Sequence, residues 1–132
     1  MSKTAKFYIY YDAKTDYLEV SSGKMKTVSE DIGNGIFILK NPRGRAVGYG
    51  VLDACDRVEK LDFLDPLVKF AVQVKIERLK RGFTQAQLAK RMGIGLLPCQ
   101  RLESGQNNPT LKTILKLKEI LPEVSVDDLL AS

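Results

Sequence analysis

The sequence predicts an α+β chain, an antiparallel β meander of about five strands followed by a five-helix domain. Three observations carry that class. Aromatic and β-branched residues alternate in short runs before residue 65. After it, apolar residues recur at helical spacing between capping residues and glycines. At the change itself, Asp65-Pro66 sets an N-cap acceptor before a proline at the first helical position, where the missing N–H costs nothing. A chain of 132 residues suffices for one ordinary domain or two very small ones. The expected division is 1–64, an antiparallel β domain for dimerisation or partner binding, and 65–132, the helical domain.

The strands follow in order. Phe7 to Tyr11 is aromatic and β-branched, Asp12 to Asp16 supplies turn residues, and Tyr17-Leu18-Glu19-Val20 alternates with period two. Gly23 marks a turn, and Met25 to Glu30 reads as a third strand. Gly33-Asn34-Gly35 is a turn signal, because these residues accept positive φ cheaply. Ile36 to Leu39 is a short apolar strand closed by Asn41-Pro42-Arg43-Gly44, and Ala46 to Leu52 is the fifth. Ala54 to Leu64 is charged and amphipathic, either linker or short helix.

The helices are punctuated just as clearly. The first, from Pro66, carries Leu67, Phe70, Ala71 and Val74 and stops at Gly82. Thr84 caps a short helix through Leu88, Ala89 and Met92 that Gly93 ends. A third spans about Leu96 to Glu103. Thr110 caps a fourth with Leu111, Ile114, Leu115, Leu117, Ile120 and Leu121, and Ser125 caps a final turn through Leu129.

Composition excludes several functions. With no histidine, the chain lacks the usual general base and the usual metal ligand. Cys55 and Cys99 form no CxxC pair, so neither a metal site nor a catalytic site is expected, and no cofactor. Asp12 and Asp16 read as turn braces, not a catalytic carboxylate pair. No apolar run approaches a membrane span, and Met1-Ser2-Lys3 leads into no signal-peptide core. A cytoplasmic protein that is not an enzyme is therefore expected. The charge is informative through its location. Residues 1–65 hold ten basic and ten acidic side chains, whereas residues 66–109 hold eight basic and two acidic. The net +5 lies in the helical half, where it would attract phosphate.

Four linked segments in that half carry a resemblance. They read Gly82-Phe83-Thr84-Gln85-Ala86-Gln87-Leu88-Ala89, then Met92-Gly93-Ile94, then Arg101-Leu102-Glu103-Ser104-Gly105, then Asn108-Pro109-Thr110-Leu111. Together they resemble the λ-repressor/Cro-like (Xre) helix-turn-helix family over roughly half the chain. The resemblance implies a repressor that binds double-stranded DNA as a homodimer, its third helix in the major groove. It implies that Gln85 meets a DNA phosphate at a helix N-terminus. Gly95, Leu96, Leu97, Gln100 and Arg101 would then lie nearest the base edges, with Gln106 and Asn107 in a loop that touches backbone. It also implies a structural ion pair between Arg78 and Glu103. Cys99 would be a small buried hydrophobe.

Where the family's third helix usually opens on a polar run, this one opens Gly95-Leu96-Leu97-Pro98. Leucine makes no bidentate hydrogen bond to a base; it packs on a thymine methyl, forms an apolar interaction patch, or tucks into the protein. The runner-up reading is thus a protein-interaction adaptor whose helical domain no longer binds DNA specifically. The first half more weakly resembles a small uncharacterised prokaryotic β domain through Tyr11-Asp12, Asp16, Leu18, Val20, Gly48 and Leu52-Asp53-Ala54. An antitoxin-type regulator, its β domain holding a toxin-like protein partner, sharpens the repressor reading.

Overall fold

Among the residues described by the computed structural model (8–22, 27–57, 65–105, 107–127 and 129), five strands precede and flow into five helices. The strands are β1 Tyr8–Asp12, β2 Tyr17–Ser21, β3 Val28–Asp31, β4 Ile36–Lys40 and β5 Ala46–Val51. The helices are α1 Ala54–Arg57, α2 Pro66–Lys80, α3 Gln85–Met92, α4 Leu96–Leu102 and α5 Leu111–Ile120. The chain separates into two compact units, 1–57 and 58–132, so α1 belongs with the sheet. Gly23 and Met25 of the expected second turn and third strand, and residues 58–64, lie outside the described residues.

The sheet is antiparallel throughout, but it is not the meander expected. Its order is β1-β2-β5-β4-β3, with β5 in the centre between β2 and β4. The reason is carried by Gly48 and Gly50. A Cβ on Gly48 would sit 2.2 Å from the carbonyl oxygen of Val20 and 2.6 Å from Cα of Ser21. A Cβ on Gly50 would sit 2.4 Å from the Tyr17 hydroxyl oxygen. Only bare backbone lets β2 and the Tyr17 ring come so close, and β5 supplies it. The β2–β3 connection therefore crosses to the far edge, while tight turns join β3 to β4 and β4 to β5. Gly33, Asn34 and Gly35 all adopt positive φ in the first of these turns.

Pairing places Tyr11, Leu18 and Val51 side by side on one face, with Val20 beside Ile9. Tyr11, Leu18, Val20 and Val51 are all buried. Asp12 and Asp16 are both engaged in local structure. Asp12 Oδ1 accepts from the Lys14 amide at 2.9 Å. The Asp16 carboxylate accepts from the Tyr11 hydroxyl at 2.5 Å and from the Cys55 amide at 3.2 Å, which ties the β1–β2 turn to α1. Burial, and then that hydrogen bond from its own hydroxyl to Asp16, push the Tyr11 phenol well above its ordinary pKa.

In the second unit, α2, α3 and α5 each begin where a side chain satisfies free amides. Asp65 Oδ1 accepts from the Leu67 amide at 2.9 Å. Thr84 and Gln87 form a reciprocal capping box, at 3.1 Å from the Gln87 amide to Thr84 Oγ1 and 2.8 Å from the Thr84 amide to Gln87 Oε1. Thr110 Oγ1 accepts from the Thr113 amide at 3.2 Å. Gly93 closes α3 at φ 70, turning the chain into α4. Phe70 and Val74 of α2, Leu88, Ala89 and Met92 of α3, Cys99 and Leu102 of α4, and Leu117 of α5 then pack into one core with Leu121 and Val124. Each buried leucine contributes roughly 1.5–3 kcal/mol of transfer free energy. Asp127 and Leu129 again have helical backbone, within the final turn expected from Ser125.

Candidate nucleic-acid interface

Hydrophobic spacing fixes how α4 is turned. Cys99 and Leu102 are buried at 0% and 5% exposure, so this side of the helix faces the core. Leu96, Leu97, Gln100 and Arg101 are all exposed, and they share the opposite side. Leu96 and Gln100 lie one turn apart, as do Leu97 and Arg101, giving two parallel rows that each join a leucine to a polar side chain. Gly95 is the N-cap, exposed and without a side-chain cap.

The base of α4 is clamped by charge. Arg78 Nε donates to Glu103 Oε2 at 2.6 Å and Nη2 donates to Oε1 at 3.0 Å, while Nη1 donates to the Phe83 carbonyl at 2.7 Å. Both side chains are buried, at 8% and 3% exposure. One fork thus joins α2, the α2–α3 turn and the end of α4. Gln85 belongs to the same network, since its Nε2 donates to Glu103 Oε1 at 3.3 Å. Its side chain is half-buried and drawn toward the clamp, at the first residue of α3. Cys99 locks the opposite edge, its thiol donating to the Gln85 carbonyl at 3.4 Å. Burial, reinforced by the charge of Glu103 and opposed by that of Arg78, pushes the Cys99 thiol up to about 11.

Beyond α4, Arg101 and Asn107 are brought together along one groove with Pro98, Asn108, Thr110 and Thr113. Ser104 Oγ holds the turn between them, donating to the Arg101 carbonyl at 2.8 Å. Gln106 lies outside the described residues. Sequence reasoning did not assign Asn108 or Thr113 to the interface; their place beside Arg101 depends on how the 103–110 turn folds back. It also missed a second cationic cleft, lined by Arg81, Lys90, Arg91, Gln87 and Phe83. There the Arg91 guanidinium stands 4.5 Å from the centre of the Phe83 ring. The local charge count signalled the cations, but not their convergence.

A short helix, a glycine turn and a second helix whose outer face is exposed beside basic and amide side chains make a helix-turn-helix. Residues 74–129 match the family model described as helix-turn-helix, in agreement with the geometry of α3 and α4. The match begins within α2, whose first two turns from Pro66 lie ahead of it. The chain is also similar to the cryptic phage CTXphi transcriptional repressor RstR of Vibrio cholerae serotype O1, at 41% identity over 46 residues. That stretch covers 35% of this chain, and the chain spans 40% of the length of that relative. No solved structure matches the chain. Among the described residues, no helix is long and apolar enough to cross a membrane.

Proposed function

We propose that the protein is a DNA-binding transcriptional regulator, acting as a repressor through α4. The carrying observation is the outward face of α4, where Gln100 and Arg101 stand exposed on a helix anchored from behind by Arg78 and Glu103. Arginine reads guanine O6 and N7, and glutamine reads adenine N6 and N7. Gly95, Leu96 and Leu97 complete the face, Gln85 supports the phosphate contact at the start of α3, and Asn107, with Gln106 beside it in sequence, supports contact to the backbone. The local excess of eight basic over two acidic residues favours the same partner. Titrating the full chain against duplex DNA at two salt concentrations tests the reading. A salt-dependent complex is expected, and its slope counts the phosphates neutralised. No complex at low salt overturns it, and favours the adaptor reading, for which the exposed Leu96 and Leu97 speak.

Two half-sites one helical turn apart call for a homodimer. Leu111 and Leu115 on α5 support one, at 64% and 60% exposure and one turn apart. The exposed Lys112 and Glu119 flank them, and in an antiparallel pairing of two α5 helices each lysine faces the other copy's glutamate. The antitoxin-type reading, in which the β unit holds a protein partner in the cytoplasm while the helical unit represses its own operon, rests on the division into two units. Co-purification of a partner with the full chain supports it, and loss of that partner on removing the β unit assigns the contact.

A further inference from the structure

The leucines at the tip of α4 are an anomaly for a base-reading helix. Leu96 is 47% exposed and Leu97 56%, whereas the core-facing side of the same helix is closed by Cys99 and Leu102. They are therefore not spent on packing α4 within its unit, and they share the outward face with Gln100 and Arg101. A leucine has no hydrogen-bonding group, so it gains nothing from the donor and acceptor pattern of guanine, cytosine or adenine. The major groove holds one apolar feature, the 5-methyl group of thymine.

Resting on the DNA-binding reading above, we propose that Leu96 and Leu97 are specificity residues that select thymine by its methyl group, in the same half-site as the bases read by Gln100 and Arg101. The rows on α4 fix the spacing. Residues one turn apart are separated by about 6 Å along a helix. Base pairs rise about 3.4 Å. The thymine under Leu97 therefore lies about two base pairs from the guanine read by Arg101, and the thymine under Leu96 about two from the adenine read by Gln100. Desolvating a methyl against a leucine is worth about a fourfold change in affinity. The pair thus discriminates about sixteenfold, without a hydrogen bond.

Deoxyuridine isolates the methyl, because it pairs as thymine does and lacks only that group. Duplexes selected by the full-length protein from a random pool are remade with deoxyuridine at the thymines of each half-site. Affinity is expected to fall about fourfold at each thymine facing a leucine, with the salt slope unchanged. Leu96→Ala and Leu97→Ala, both at exposed positions, should each abolish the penalty at one thymine while leaving the thermal transition unaltered. Tight, salt-dependent binding that is indifferent to deoxyuridine overturns the proposal and leaves the DNA reading standing. Absence of any duplex binding at low salt overturns both, and a protein ligand released by the same two leucine substitutions replaces them.

Discussion

Glu103 receives two edges of the Arg78 guanidinium, Nε at 2.6 Å and Nη2 at 3.0 Å, in a pair closed off from solvent at 8% and 3% exposure. Buried pairs of this kind act asymmetrically: removing one partner leaves the other charged and unsatisfied, at a cost of about 3–5 kcal/mol. Arg78→Met and Glu103→Leu are each expected to destabilise the helical unit by that amount in urea unfolding followed by circular dichroism at 222 nm. The double variant should recover most of the loss, since two apolar side chains replace the pair without stranding a charge. A double variant as unstable as the sum of the two singles would show that the pair acts independently of each other's charge.

Cys99 and Cys55 offer a contrast in one titration. Cys55 is exposed, while Cys99 is fully buried with its thiol held protonated up to about 11. At pH 8 a thiol reagent should modify Cys55 within the folded protein and reach Cys99 only after denaturant is added. The raised folded value also sets a sign for stability. Between the ordinary value of 9.0 and about 11, the unfolded chain has released the Cys99 proton while the folded chain keeps it. This contribution is fully present below pH 9 and is lost as pH rises toward 11. Cys99→Ala should flatten that part of the pH dependence even though it lowers stability overall. Equal reaction of both thiols in the native state would contradict the packing of α4.

Gln100 and Arg101 carry the hydrogen-bonded half of base recognition in the proposed function. Changing both to alanine removes one bidentate contact each, worth about 1–3 kcal/mol of discrimination apiece. Preference between a selected site and a scrambled duplex should shrink accordingly, with little change in generic binding at low salt. A competition titration with the two duplexes measures the ratio. An unaltered ratio sinks the assignment of these two side chains to base edges.

The helical half was legible because its punctuation is local. Thr84 and Gln87, Gly93, and Thr110 with Thr113 act within a few residues of themselves, so reading them along the chain places α3, α4 and α5 almost to the residue. The outward face of α4 follows from spacing alone, once Cys99 and Leu102 are taken as core. The sheet was legible in its strands but not in its order. Which strand lies beside β2 depends on the approach of Tyr17 and the Val20–Ser21 backbone to Gly50 and Gly48, some thirty residues away, and no local pattern encodes that. The hydrogen bond from Gln85 to Glu103 was hidden for the same reason. Its two ends lie on different helices, and only the packed core brings them together.

That long-range dependence makes the two glycines of β5 unequal. An alanine Cβ at Gly48 meets backbone, the Val20 carbonyl oxygen at 2.2 Å and Ser21 Cα at 2.6 Å, and the strands must part to admit it. At Gly50 it meets the far end of the Tyr17 ring, which can swing aside by giving up the 2.7 Å hydrogen bond from its hydroxyl to Glu19. Gly48→Ala should therefore cost about 3 kcal/mol, the upper part of the overpacking range, and Gly50→Ala about 1 kcal/mol. Tyrosine fluorescence on urea unfolding reports the sheet specifically, because all five tyrosines precede residue 50. Equal losses at the two positions would place the strain elsewhere than in the β2–β5 contact.

Pairing of two α5 helices makes the last prediction. Around a two-fold axis near Leu115, Lys112 lies three residues before the axis and Glu119 four residues after it. Antiparallel helices bring those two levels opposite each other, about 4.5–6 Å from the crossing at 1.5 Å per residue. Lys118 is not available for this role, since its Nζ donates to the Pro122 and Val124 carbonyls of its own chain at 2.7 Å each. Lys112→Glu places two carboxylates together at each end of the pairing, and Glu119→Lys places two ammonium groups there. Either change should weaken self-association several-fold in sedimentation equilibrium, more at low salt than at high. Combining them restores opposite charges across the axis, and should restore association. Leu115→Cys in a Cys55→Ser background should also form a disulfide with its own copy, because the residue nearest a two-fold axis meets itself. Single charge variants that associate as the parent chain does, with no disulfide at position 115, would remove α5 from the dimer surface.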